Sequence, residues 1–327
     1  MNNDIKTLAV KLVSVFLFLG CYIKNASAQH NSELLLAESK NISTAYSNFR
    51  DLQLLDSIQP YRNRKQWLVT AGVVAYTGGM AGLYKLWYAD YENESFHFFN
   101  DGKEWLQMDK CGHLFTTYQI SRLSNEALLW AGFERKNAIL KGAGYAMLFQ
   151  TTIEAFDGFS SAWGFSWFDM LANTIGAGLF VGQQLEWQEQ RITVKFSYHA
   201  SPYANDRPNV LGSTPITRVF KDYNGQTYWL STPLSCWWKH NNMPQWLAIS
   251  MGYGAQGMTG GYQNLDASKS ISRNRQFYLA ADIDLTRIKC KSKLLKSIFN
   301  TINIIKLPAP TLSFEKEKGL MFYPLYF

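Results

Sequence analysis

Apolar residues recur at helical spacing through the first half of the chain and change to strict alternation in the second. The run "WLVTAGVVAYTGGMAGLYKLWY", Trp67 to Tyr88, carries no charge before Lys85 and is long enough to span a bilayer, with Trp67, Trp87 and Tyr88 placed as interfacial anchors. Its Gly72, Gly78, Gly79 and Gly82 weaken an isolated soluble helix but let helices approach closely in lipid. A second helical segment starts near Asp109, a third runs from about Arg135 to Asp157, and a fourth, "SWFDMLANTIGAGLFVGQQLEW", begins at Ser166. Ser166 stands three residues before Asp169, a capping-box variant that fixes the start of the fourth. Helices of this length predict a compact four-helix unit. Charge inside the second and third leaves a soluble bundle lying against a membrane as the alternative to one that crosses it.

Past Trp187 the period becomes two. "RITVKFSYH" puts Ile192, Val194, Phe196 and Tyr198 on one face. "WLAISMGYG" alternates from Leu247, and "QFYLAADIDLTRI" sets Phe277, Leu279, Ala281 and Ile283 opposite Asp282 and Asp284. A basic amphipathic helix, "SKLLKSIFNTINIIKL", precedes the terminal "PAPTLSFEKEKGLMFYPLYF". Strands apolar on one face and about ten residues long fit an outer-membrane barrel, but such a barrel needs at least eight and only four to six candidates are present. The expected fold class is α+β: an N-terminal bundle of about four hydrophobic helices, followed by a smaller, mostly antiparallel β region packed on it. The expected boundaries are a signal peptide at 1–28, a polar segment at 29–64, the helical domain at 65–190 and the strand-rich region at 191–327.

Composition shifts this picture toward lipid. The 327 residues are 47% hydrophobic, 15% aromatic and only 17% charged, poor in charge for a cytosolic protein. The net charge of +7 comes from scattered residues with no basic block and interleaved aromatics, so nucleic acid is not an expected partner and a membrane surface is. Lys6 and Lys11 precede the apolar "LVSVFLFLGCYI", and Ala26 and Ala28 are spaced for cleavage before Gln29, the pattern of an export signal. "FLGC" offers lipidation at Cys21 as the competing reading. Cys111, Cys236 and Cys290 have no metal-ligand spacing, and an oxidising compartment permits one disulfide, with Cys236 and Cys290 the expected pair. No cofactor or metal is expected.

The candidate chemistry lies in the opening turn of the second helix, "MDKCGHLF". Asp109 and His113 are four apart on one face, and Lys110 borders that face. Glu154 and Asp157 stand three apart in "TTIEAFDGFS", and Asp169 and Asn173 four apart in "FDMLANTIGAG", with Gly176 on the same side. Three helices thus present Asp109, Lys110, His113, Glu154, Asp157, Asp169 and Asn173 on polar faces within apolar surroundings. Such groups must pair with one another. The expected pairs are Lys110 with Glu154 or Asp157, and His113 with Asp169. The bland alternative for Asp109, Lys110 and His113 is an acid favoured by the helix dipole, a snorkelling lysine and a hydrogen-bonded histidine.

These motifs, D-K-x-x-H in "DKCGH", E-x-x-D-G-F-S in "EAFDGFS" and the Asp, Asn and Gly of "WFDMLANTIG", resemble the YfiM-type family of predicted periplasmic lipoproteins, itself similar to VanZ-like membrane proteins. The resemblance covers about residues 60 to 190. It implies a helical, exported protein in the envelope of a Gram-negative bacterium, at the periplasmic face or outer membrane, and carries over the same seven polar residues without an activity. Two functions compete. In one, the cluster is a structural keystone of a non-enzymatic envelope protein, with membrane lipid or envelope components as partners and the C-terminal strands as a docking surface for an envelope protein. In the other, His113 is a general acid/base oriented by Glu154 or Asp169, with Lys110 holding an anionic group of a lipid-linked or cell-wall substrate. A divalent-metal site built from His113, Glu154 and Asp157 or Asp169 ranks below both.

Overall fold

In the computed structural model the described residues are 47–238, 243–265 and 270–326. The export signal, the Ala28 cleavage site and the Cys21 lipidation site lie outside them. The chain is α+β, with the helices first. They are α1 (Ser47–Leu83), continued as a π-helical turn over Tyr84–Tyr88, α2 (Met108–Trp130), α3 (Arg135–Asp157) and α4 (Trp167–Glu186). Then come β1 (Thr193–Tyr198), β2 (Gln226–Pro233), β3 (Leu247–Gln256), β4 (Asn274–Ile283), helix α5 (Lys293–Ile302), β5 (Ala309–Glu315) and β6 (Gly319–Tyr326). Two compact units divide the chain, Met1–Glu94 with Asn125–Ala138, and Ser95–Ser124 with Ile139–Phe327. In the first, the Arg64 guanidinium lies 5.3 Å from the centre of the Trp130 ring and the Lys65 ammonium 5.1 Å from that of Phe133, both within cation–π range.

One expectation is corrected. Among the described residues no helix is long and apolar enough to cross a membrane. The Trp67–Tyr88 run falls short because its glycines, Thr70, Thr77 and Lys85 dilute the aliphatic side chains.

In the second unit the helices are held by a shared core and by local polar bonds. Tyr118 of α2, Ile139 and Ala143 of α3, Ala177 and Phe180 of α4 and Val194 of β1 form one buried cluster. The hydroxyls of Thr117, Thr151 and Thr152 return to the carbonyls four residues back, at 2.7 to 2.8 Å, so they enter the helical packing without an unmet hydrogen bond. Ser166 caps α4 as its sequence predicts, its hydroxyl accepting from the Asp169 amide at 3.1 Å. The Asp169 side chain completes no capping box, because it turns to Lys110 instead.

The six strands form one antiparallel sheet in chain order, β1 to β6. β2 has no clean alternation to mark it, because "QTYWLSTP" mixes Trp, Leu and polar residues on both faces. The sheet curls on itself, because the segment before β5 pairs with β1 through the bonds Phe196 N–H to Ile304 O at 2.9 Å and Lys306 N–H to Phe196 O at 2.8 Å. Most of its apolar side faces outward. The outward, apolar faces of β1 and β2 meet α2 through Phe196, Tyr228 and Phe115, with ring centres 5.4 to 5.7 Å apart. Much of the remaining outward face is uncovered, and the inside of the curl holds buried polar side chains together with the cluster of Trp229, Tyr278 and Ala280. The disulfide expectation is also corrected: Cys111, Cys236 and Cys290 are all free thiols.

Candidate functional site

The site forms where α2 begins. Trp105, Leu106 and Gln107 all have positive φ (47°, 50° and 65°), a conformation that non-glycine residues seldom adopt and that the surroundings must hold. They are held by Tyr253, whose hydroxyl donates to the Leu106 carbonyl at 2.5 Å, by the Trp105 amide bonding Gly261 O at 2.8 Å, and by the Gln107 amide group reaching Gly102 O at 2.9 Å. The chain therefore doubles back before Met108, and Asp101 comes to lie over the first turn of α2.

Lys110 is the hub. Its ammonium pairs with Asp101, with Asp109 at 3.0 Å and with Asp169 at 2.7 Å. Asp101 also accepts from the Ser166 hydroxyl at 2.5 Å, and Asp109 from the Tyr223 hydroxyl at 2.8 Å. His113 lies deeper. Its Nδ1 is 3.2 Å from Asn173 Oδ1, 3.3 Å from Gln150 Nε2 and 3.5 Å from Glu154 Oε1. Its Nε2 faces Asp109 Oδ1 and Asp169 Oδ1, each at 3.9 Å. Asn173 Oδ1 further accepts from Thr117 and Gln150, both at 2.9 Å, and the Ser166 amide donates to Glu154 at 3.2 Å.

Six of the seven polar residues named from sequence therefore meet within ion-pair or hydrogen-bond reach; of the expected pairs His113 does face Asp169, at 3.9 Å, while the pairing of Lys110 differs. Lys110 turns to Asp101, Asp109 and Asp169 rather than to Glu154 or Asp157. Glu154 faces His113 and the start of α4. Asp157, one turn further along α3, acts on the site through its charge, which raises the pKa of Glu154. Asp101, Thr117, Gln150, Ser166 and Tyr223 were missed. Asp101 stands in "FNDGKE", which reads only as a turn, and Tyr223 is 114 residues from its partner Asp109. No periodic signal marks either.

Four carboxyls surround one lysine and one histidine, so the charge cannot be spread evenly. Burial would raise the pKa of Asp109, but the charges of Lys110 and His113, with hydrogen bonds from Lys110 and Tyr223, hold it at about 2. Burial raises Glu154 to about 9 against the pull of His113, and raises Asp169 to about 10 with the help of the Asp109 charge. Lys110 stays firmly charged: burial opposes this, and the charges of Asp109 and Asp169 outweigh it. Burial and the Asp109 charge push the Cys111 thiol up to about 12, which removes it as a nucleophile.

The pH dependence follows from these signs. Glu154 and Asp169 bind protons more tightly in the folded chain than at their ordinary values of 4.5 and 3.8, so stability falls as pH rises through that window toward about 9 to 10. Asp109 acts oppositely, adding stability above 3.8 that is lost as pH falls toward 2. Glu154→Gln is expected to stabilise the chain by on the order of 1–2 kcal/mol at about pH 8 and by almost nothing at about pH 4. Urea unfolding at the two pH values checks this.

Asp109, His113 and Asp169 each offer one ligand atom, all within 4.8 Å of one another. Such a nitrogen and oxygen donor set suits a divalent cation, but the Lys110 ammonium already lies against two of the three. The loop, the three helices and every helical residue of the cluster lie in one continuous stretch. Residues 96–182 match the family described as "Predicted periplasmic lipoprotein (DUF2279)". The match takes in Asp101, the D-K-x-x-H turn, the E-x-x-D-G-F-S segment and the start of α4, and it is consistent with an exported envelope protein. No curated protein and no solved structure matches the chain.

Proposed function

We propose that this chain is a non-enzymatic protein of the Gram-negative cell envelope in which the DUF2279 cluster is a structural keystone. The observation that carries the reading is the occupancy of Lys110: its ammonium contacts three aspartate side chains, from the preceding loop, α2 and α4. A cation so committed fixes the mutual register of those elements and is poorly placed to bind an anionic substrate as well. The export-signal pattern at the N-terminus and the family match support the location. The likeness to VanZ-like membrane proteins belongs to this proposal too; it rests on the polar motifs alone and supplies no activity.

A second reading, proton transfer by His113, is favoured by one feature. Nε2 has acids on two sides at 3.9 Å, beyond hydrogen-bond distance, while Nδ1 is held by Asn173 and Gln150. A ring fixed at one nitrogen and open at the other is suited to acid/base work. His113→Gln separates the two. Under the keystone reading, any envelope-stress phenotype of the variant tracks a fall in the amount of folded protein. Such a phenotype with unchanged amount and location of the protein would overturn that reading in favour of catalysis.

A further inference from the structure

The cross-strand rows of the sheet show an inverted pattern. Register aligns Leu230, Met251, Leu279, Leu312 and Phe322 in one row across β2 to β6. All five are exposed, at 47%, 67%, 42%, 39% and 62%. The next outward row adds Phe277, Phe314 and Leu320, also exposed. Rows pointing the other way are buried, and there an aromatic cluster of Trp229 and Tyr278 stands beside paired polar groups. Lys195, 1% exposed, pairs with Asp282 at 2.9 Å, and Asp282 accepts from Ser231 at 2.6 Å and Ser250 at 2.7 Å. Gln276 donates to Glu315 at 2.6 Å, and the Lys306 ammonium donates to Ala281 O at 2.9 Å.

In water this arrangement is unfavourable twice over. It shows solvent a wide apolar face and hides a lysine–aspartate pair whose desolvation costs more than apolar packing would. A sheet that is apolar outside and keeps its paired charges and hydrogen-bonding side chains inside suits one surrounding medium, the hydrocarbon of a bilayer. The lengths agree: β3 and β4 have ten residues each, about 34 Å at ~3.4 Å per residue, enough to cross a ~25 Å apolar band at a tilt. From β3 to β6 the outward positions between Tyr253 and Arg275 at one end and Leu247 and Ile283 at the other carry no charge. A face meant for a second copy of the chain would be rimmed by polar residues on all sides.

A separate element points the same way. α5 exposes Leu294, Leu295, Ile298 and Ile302. The chain from Leu285 to Phe314 includes Arg287, Lys289, Lys291, Lys293, Lys296 and Lys306 without a single acid. A basic helix with an exposed apolar stripe is built for the surface of an anionic bilayer.

We propose that the outward face of β2 to β6 lies against the acyl chains of a phospholipid bilayer, with α5 at its surface. This does not depend on the keystone reading, since none of the cluster residues is involved. The test uses the full chain with Cys21, Cys111, Cys236 and Cys290 replaced by serine, and a single environment-sensitive label at Leu279→Cys or Phe322→Cys (outward) or Ala280→Cys (inward). It is reconstituted in vesicles of phosphatidylethanolamine and phosphatidylglycerol. Nitroxide groups on the acyl chains are expected to quench most of the emission at 279 and 322 and little at 280. An anchor at the N-terminus would not produce that alternation. Equal quenching at the three positions, or none, overturns the proposal. So does protection at 279 and 322 that depends on protein concentration and not on lipid, the signature of a second copy. If the serine background does not fold, hydroxyl-radical footprinting of the native chain replaces it. Oxidation of Met251 should fall several-fold on adding vesicles, and an unchanged rate overturns the proposal.

Discussion

Lys110→Met is expected to cost about 3–5 kcal/mol of stability, the usual penalty for removing one partner of a buried charge network. The substitution keeps most of the side chain's volume, so the loss is electrostatic. Asp101, Asp109 and Asp169 would be left facing one another with only His113 nearby. Asp169 is relaxed already, since a pKa raised to about 10 keeps it protonated at neutral pH. Asp109 cannot relax as easily, because Tyr223 and His113 continue to favour its ionised form. Adding Asp109→Asn should therefore restore a part of the loss, and the double variant should be more stable than Lys110→Met alone by on the order of 1–2 kcal/mol. Denaturant unfolding at neutral pH of wild type, both single variants and the double variant measures the coupling. A double variant no more stable than Lys110→Met would remove the keystone role.

The second large effect is steric. Gly176 faces α2 so closely that a Cβ there would press on the backbone carbonyl of Leu114. Backbone cannot swing aside as a flexible side chain can. Gly176→Ala must push α4 away from α2 and carry Asn173 and Asp169 off His113 and Lys110, at an expected cost of about 2–3 kcal/mol. Gly178, two residues on, is exposed and has nothing within 4 Å of the corresponding position. Gly178→Ala should instead be neutral or stabilise by about 0.5–1 kcal/mol, because alanine loses less backbone entropy in a helix. Unfolding midpoints of the two variants, measured side by side, check the contrast. They separate a glycine that permits helix contact from one that does not.

The same pair of glycines shows how far sequence reading extends. Both sit in "NTIGAG", and only spacing distinguishes them: Gly176 is three beyond Asn173 and seven beyond Asp169, on the side that faces α2. That periodicity is local, so it is legible. It also placed Asp109, His113, Glu154, Asp169 and Asn173 on facing sides of three helices. Not all the pairs could be read, because helical period gives a face and not a height along a neighbouring helix. Lys110 is the clear instance: its nearest acids come from a loop that doubles back through three left-handed residues and from the first turn of α4. Neither feature has a periodic mark.

Alternation in the second half likewise determined strands with one apolar side. It could not say which side would be covered. Alternation is symmetric under exchange of inside and outside, and that choice is made by the curl of the sheet, by the pairing of β1 with the segment before β5, and by where Lys195 and Asp282 meet. The sequence by itself determined the order of helices before strands, the cap of α4 and the membership of the polar cluster, since each depends on residues within a few turns of one another. Only the tertiary structure decided that Lys110 answers to three acids, that the three cysteines stay apart, and that the sheet turns its apolar face outward. Those outcomes depend on groups brought together from distant parts of the chain, where the distances between side chains set the energy and no local pattern records them.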